Sequence, residues 1–202
     1  MKWLSGRSRR ARGEVAAHNG TTPVRREGWR TRATEAELAF PLLGPRVALR
    51  PFSPDDGRAA HQIYADPEVM RWVGHGAVTS YAATESIIRQ YITHQQLHGF
   101  AFWAVTDRRT GEIIGDAGLA RTADGAVEMG YTLRKDRWGE GLGTETAGVC
   151  IEAAHTLGIP RVRALVEAPN VASRRVLEKL GFERDGTTLA FGRPHLVYRR
   201  TP

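Results

Sequence analysis

Apolar residues fall into recurring patterns only from Leu38 onward. Arg46-Val47-Ala48-Leu49-Arg50 alternates and predicts a first strand. Ser53-Pro54-Asp55-Asp56 predicts a helix start, with a capping serine, proline at the first helical position and an acid three residues on. Asp66-Pro67 limits that helix. Ile87, Ile88, Tyr91, Ile92 and Gln95 trace a mostly apolar stripe at helical spacing. The stripe predicts a second helix from about Ser80 to His98, closed by Gly99. Phe100–Asp107 alternates, Arg108-Arg109-Thr110-Gly111 reads as a turn, and Glu112–Ala120 as the returning strand. Asp124-Gly125 is a two-residue hairpin signal leading into a third strand, Val127–Arg134.

The second half repeats the strand–helix alternation. A helix is predicted from about Leu142 to Leu157, stopped by Gly158, and a strand over Arg161–Glu167. A last helix spans Asn170–Leu180, with Gly181 just past its end. Phe182–Thr187 and His195–Arg200 read as the final strands. The order β, α, α, β, β, β, α, β, α, β, β predicts an α/β (α+β) fold, a mixed sheet with helices on both faces. No repeat or linker divides it.

Composition narrows the class. A chain of 202 residues, 41% hydrophobic and 25% charged, suits one globular domain. No run reaches the ~18 apolar residues of a membrane span. The only cysteine, Cys150, excludes a disulfide framework and reads as helix packing. The default compartment is therefore the cytoplasm. The net charge of +7 is uneven: residues 1–37 hold nine basic against four acidic residues. With no apolar periodicity, 1–37 is expected to be a disordered basic extension to a domain over 38–202. An inert extension, an arm for RNA or the ribosome, and a transit peptide compete for its role. His155 and His195 have no metal-ligand spacing, so no metal site is expected.

The chemistry concentrates in Trp138-Gly139-Glu140-Gly141-Leu142-Gly143-Thr144-Glu145. Alternating glycines let a ligand approach the main chain. The helix start behind them offers unpaired N–H groups and a positive dipole end, which suits a phosphate or pyrophosphate. No lysine follows the glycines, which argues against a nucleotide-hydrolase loop. The loop also follows an antiparallel meander, and Glu167 lies ~25 residues downstream, too far for a dinucleotide fingerprint. A plain strand–helix turn is the bland alternative.

The flanks change that balance. Glu128-Met129-Gly130-Tyr131-Thr132-Leu133 precedes the loop. Asn170-Val171-Ala172-Ser173, running on to Leu177-Glu178-Lys179-Leu180-Gly181-Phe182, follows one strand and helix later. With these motifs the chain resembles the GNAT superfamily of acyl-CoA-dependent N-acyltransferases. Leu49-Arg50-Pro51-Phe52 and Asp66-Pro67-Glu68-Val69-Met70 also resemble its RimJ/RimL branch, which acetylates ribosomal-protein N-termini. The similarity covers about 40–200. Trp138 stands where many relatives carry Gln or Arg, with Arg137 one position early.

The resemblance implies a GNAT fold with a V-shaped split between two central strands, and acetyl-CoA as acyl donor. Its pyrophosphate would meet the segment Trp138, Gly139, Gly141, Leu142, Gly143 and Thr144. Its pantetheine amides would pair with a strand edge near Leu133. Asn170 would contact the cofactor arm, or serve only as a helix cap. Ser173 would lie near the sulfur and protonate the leaving thiolate. Glu128 is the candidate base, with a substrate-binding or solvent-facing carboxylate as its alternative. Asp116 reads as an amine ligand or a strand residue, and Tyr198 as a neighbour of the sulfur or a core tyrosine. Arg174 and Arg175 read as ligands of the CoA phosphate or as surface charge. A covalent acyl-cysteine is disfavoured, because Cys150 is mid-helix with no adjacent base. The implied function is acetyl-CoA-dependent N-acetyl transfer to a primary amine, a protein N-terminus or a small molecule, by a monomer or homodimer. The rival is an inactive CoA-binding regulatory module.

Overall fold

The computed structural model describes residues 37–78 and 80–202, so the expected basic extension over 1–37 lies, but for Glu37, outside the described residues. Eight strands form one sheet: β1 (Leu42–Leu43), β2 (Val47–Arg50), β3 (Phe102–Asp107), β4 (Ile113–Arg121), β5 (Val127–Leu133), β6 (Val162–Val166), β7 (Glu183–Ala190) and β8 (Arg193–Arg200). Their spatial order is β1-β2-β3-β4-β5-β6-β8-β7. All neighbours are antiparallel except β5 and β6.

Four α-helices cover the sheet: α1 (Gly57–Tyr64) and α2 (Tyr81–His98) on one face, α3 (Leu142–Thr156) and α4 (Val171–Lys179) on the other. Strand alternation sorts the core accordingly. Trp103, Val105, Ala117, Leu119 and Met129 pack with Ala147, Cys150, Ile151 and Leu177 of α3 and α4. Ala104, one residue out of phase, packs with Ala60, Ile63, Tyr64 and Ile88 of α1 and α2. No helix among the described residues is long and apolar enough to cross a membrane.

The caps follow the sequence closely. The Ser80 hydroxyl accepts from the Ala83 amide, and Gly99 ends α2 at φ +77°. Gly181 ends α4 at φ +75°, its N–H bonded to Glu178 and that of Phe182 to Leu177. That pair of bonds satisfies the last helical carbonyls.

Several details differ from the pattern. The expected first helix begins as a 3-10 turn at Pro54–Asp56, because the Asp56 carboxylate binds both the Ser53 amide and Arg50. The Asp124-Gly125 hairpin is a three-residue loop: Thr122 N–H reaches Ala126 O, and Gly125 takes the left-handed position. β1 carries only two residues, too short for an alternating signal. The last two strands meet at Phe191-Gly192, both at positive φ, and are longer than expected.

Candidate active site

The sheet parts at its parallel pair. β5 and β6 share only Val127↔Val162 and Glu128↔Arg163, while β6 pairs with β8 along its whole length. Beyond residue 128 the two strands diverge, which gives the V-shaped split. Arg163 fastens its vertex, reaching Glu128 Oε1 at 3.2 Å and Asp124 Oδ2 at 2.9 Å. On β5 the Arg134 N–H bonds to Ile114 O of β4. Antiparallel alternation then turns the Thr132 and Gly130 main-chain groups toward β4, and those of Tyr131 and Leu133 toward the gap. The Leu133 carbonyl already accepts the Trp138 indole N–H at 2.8 Å. The open edge therefore consists of the Leu133 amide and both main-chain groups of Tyr131.

Immediately after β5 the chain makes a 3-10 turn, Lys135–Arg137, and enters α3 through the glycine loop. Gly139 (φ +78°) and Gly141 (φ +80°) hold backbone conformations that a side chain disfavours, and a Cβ at 139 would meet nothing within 4 Å. Gly143 is needed for a different reason: its Cβ would sit 3.1 Å from the Tyr131 ring. The Thr144 and Glu145 amides turn back to the Gly141 carbonyl, leaving those of Leu142 and Gly143 without helical partners. Glu145 staples this helix start to β2 by accepting from the Arg46 and Val47 amides and pairing with the Arg46 guanidinium at 2.9 Å. Burial opposes its ionisation, but these donors win and hold its pKa below the usual value. Arg137 is tied to Asp107 at 2.8 Å and to Glu140 at 3.5 Å, so its guanidinium braces the loop. Trp138 is 48% exposed and packs over the end of β5 through its indole bond.

A cleft of about 650 Å³ opens at the split and is lined from both faces of the sheet. On the α3/α4 side stand Tyr131, Asn170 and Ser173. Asn170 caps α4, its Oδ1 accepting from the Ser173 amide at 3.1 Å, while its NH₂ group stays outside that bond. The Ser173 hydroxyl lies on the same side of the cleft as the Tyr131 phenol and favours its ionised form, against the larger effect of burial. Burial raises the Tyr131 pKa, which keeps the phenol a proton donor at neutral pH.

On the α1/α2 side stand Asp116, Glu128 and His195. Glu128 is buried, and desolvation lifts its pKa above the ordinary carboxylate value against the opposing pull of Arg163. His195 is buried, with Nδ1 at 2.9 Å from the Arg193 carbonyl.

Glu128, Leu133, Trp138, Gly139, Gly141, Leu142, Gly143, Thr144, Asn170 and Ser173 thus all line one cleft. Other candidates fall elsewhere. Tyr198 is a core residue whose phenol reaches Glu178 at 3.1 Å. Arg174 hydrogen-bonds the Ala168 carbonyl, whereas Arg175 lines the cleft. Cys150 is fully buried under the sheet, and burial pushes its thiol pKa far up. Among the described residues, no cluster of His, Cys, Asp and Glu is placed to hold a metal ion.

Pattern reading missed Tyr131. Its signal was present, since it shares strand parity with Leu133 and so faces the same side. It also missed the Arg163–Glu128 pair, which depends on a contact across 35 residues of chain.

A family model described as "Acetyltransferase (GNAT) domain" matches residues 46–183. The uncharacterized N-acetyltransferase p20 of Bacillus licheniformis is 30% identical over 149 residues, covering 72% of this chain and 83% of that protein. The acetyltransferase from Agrobacterium tumefaciens str. C58 superposes with a TM-score of 0.70 at 25% identity, covering 85% of this chain and all of that one. Mycobacterium smegmatis RimJ, solved in complex with CoA-disulfide, shares the fold at TM-score 0.66 and 22% identity, over 77% of this chain and 81% of that one. Ribosomal-protein-S5-alanine acetyltransferase from Vibrio fischeri does so at TM-score 0.66 and 18% identity, over 77% and 93%. The split sheet, the glycine-led helix and a family match over more than half its length agree: this chain belongs to the GNAT family of N-acetyltransferases.

Proposed function

We propose that this enzyme transfers an acetyl group directly from acetyl-CoA to a primary amine. The single observation that carries this reading is the interrupted β5–β6 ladder, with unused main-chain groups beside a helix N-terminus. The pyrophosphate fits the loop Gly139–Thr144, where the helix dipole and the unpaired Leu142 and Gly143 N–H groups converge. The pantetheine amides fit the open groups of Tyr131 and Leu133 as an added strand. The neighbouring RimJ structure, which holds CoA-disulfide, supports a CoA-type ligand in this fold.

The thioester then lies where the two faces of the sheet communicate. The amine nitrogen attacks the acetyl carbonyl carbon, the C–N bond forms, and the C–S bond breaks. Glu128 takes the ammonium proton through water, and its raised pKa makes it a better acceptor than an exposed carboxylate. Ser173 gives its proton to the departing thiolate and regains one from water, beside the Tyr131 phenol that burial keeps protonated. The acceptor class is a primary amine, on a protein N-terminus or a small molecule. The ribosomal-protein acetyltransferases among the structural neighbours favour testing peptides first.

The test is calorimetric titration with acetyl-CoA, followed by mass-spectrometric detection of acetylated amines and N-terminal peptides. Binding and turnover are expected; absence of both from folded protein rejects the reading. With wild type, kcat/KM should fall as pH drops through the raised Glu128 pKa. Glu128→Gln should lower kcat by at least about a hundredfold and remove that acid limb. An unchanged profile would show that Glu128 is not the base.

A further inference from the structure

Five carboxylates are buried among the described residues: Asp56, Asp107, Asp116, Glu128 and Glu167. Four of them face an arginine. Arg50 reaches Asp56 at 2.7 Å, Arg137 reaches Asp107 at 2.8 Å, Arg163 reaches Glu128 at 3.2 Å, and Arg193 reaches Glu167 at 2.7 Å. The fifth, Asp116, is 3% exposed and has no cationic partner among the described residues. Buried charges are ordinarily paired, so the exception calls for a counter-ion.

Asp116 also lines the cleft. Its Oδ2 accepts from Tyr64 at 2.5 Å and from Tyr91 at 3.5 Å. Its Oδ1 has no hydrogen bond at normal distance, with Thr132 on the opposite strand as a further polar neighbour. Around it the wall is aromatic: Tyr91 is stacked on Phe102 at 5.3 Å and on Phe52 at 5.7 Å, and Tyr64, Tyr91 and Phe102 line the space. A buried carboxylate without a cationic partner, set beside aromatic side chains, is suited to an ammonium or guanidinium group. Of the other charged side chains lining the cleft, Arg137 is held by Asp107 and Glu140, while Arg175 and Lys179 stand on α4, on the opposite face of the sheet.

Asp116 lies on the same sheet face as Glu128, since Asp116 pairs with Thr132 and Ala120 with Glu128. Four residues along a strand separate them, about 13 Å. A carboxylate that far from the candidate base meets a different part of the acceptor from the nitrogen being acetylated. We propose that the Asp116 carboxylate binds a second, non-reacting cationic group of the acceptor, with Tyr64, Tyr91 and Phe102 as its aromatic walls. The assignment rests on the acetyl-transfer reading above and names the acceptor class: a primary amine bearing a further positive charge several bonds away.

The experiment uses tetra-, hexa- and octamethylenediamine as probes, each beside the amino alcohol in which one terminal amine is a hydroxyl. Wild type should favour at least one diamine over its amino alcohol by about tenfold or more in kcat/KM, expressed mainly in KM. Asp116→Asn, which keeps the shape and an acceptor for Tyr64, should reduce that preference to about the twofold excess of reactive amines, through a higher KM for the diamines, with acetyl-CoA affinity unchanged. Asp116→Glu should restore part of the preference. Circular dichroism and acetyl-CoA calorimetry on the same samples show that each variant is folded. Equal use of every diamine and its amino alcohol by wild type, or an undiminished preference in Asp116→Asn, overturns the assignment and leaves acetyl transfer intact. Failure of wild type to bind acetyl-CoA removes the underlying reading as well.

Discussion

Ser173 and Asp116 occupy opposite sides of the cleft and answer to different physics. In the proposed mechanism Ser173 acts through its hydroxyl, while its amide is bound by the Asn170 cap. Ser173→Ala therefore leaves the helix start intact, and should lower kcat by about ten- to a hundredfold with little change in acetyl-CoA affinity. Unchanged kcat in single-turnover measurements would assign thiolate protonation to another donor. Asp116 carries a cost in the unliganded fold. Burial, opposed by the hydroxyls of Tyr64, Thr132 and Tyr91, lifts its pKa from the usual 3.8 to about 6. A carboxyl with a raised folded pKa takes up its proton in the native state first, so its contribution improves as pH falls from about 6 towards 4. Above that window the ionised form is a standing destabilisation of up to about 3 kcal/mol. Asp116→Asn should therefore melt higher than wild type near pH 8, with the advantage shrinking towards pH 4. Equal melting temperatures at both pH values would mean that Asp116 bears no such cost. Of these residues, the sequence showed Ser173 and Asn170 directly, because i, i+3 spacing at a helix start is local. That Asp116 has no cationic partner among the described residues was not legible, since it depends on how distant segments pack.

At the scale of the element, the deciding feature is the phase of β5. Its even-numbered main-chain groups are used by β4, and its odd-numbered ones open to the gap once β6 has diverged. Amide hydrogen exchange should report this residue by residue. The Thr132 N–H should be protected in the free enzyme, while Tyr131 and Leu133 exchange faster. Saturating acetyl-CoA should slow Tyr131 and Leu133 by at least about tenfold and leave Thr132 nearly unchanged. Uniform protection of all three in the free protein would contradict an open edge. The helices were legible because their stripes and caps are local; Gly99, Gly158 and Gly181 all take the positive φ that ends a helix. The hairpin at Asp124-Gly125 was misread in its loop length because the same dipeptide serves both two- and three-residue turns, and strand register chooses between them.

Over the whole molecule, two half-sheets meet at a vertex fastened by Arg163, with α1 and α2 on one face and α3 and α4 on the other. A ligand that fills the split bridges both halves and binds only the native state. Acetyl-CoA at a hundred times its Kd should add about 2.7 kcal/mol, raising the melting temperature by about 5–10 °C. A chain starting at Glu37 should show the same shift as the full-length protein if the basic extension takes no part in cofactor binding; a smaller shift would implicate it. The sequence by itself determined the order of every strand and α-helix but β1, and the glycine-led helix start, because periodicity, capping and turn chemistry are written in neighbouring residues; its motifs carried the resemblance to the family. Only the tertiary structure decided where the β5–β6 ladder stops, which carbonyl Trp138 occupies, and which buried carboxylate is left without an arginine among the described residues. Those outcomes depend on contacts between residues tens of positions apart, where register and packing, rather than local pattern, set the answer.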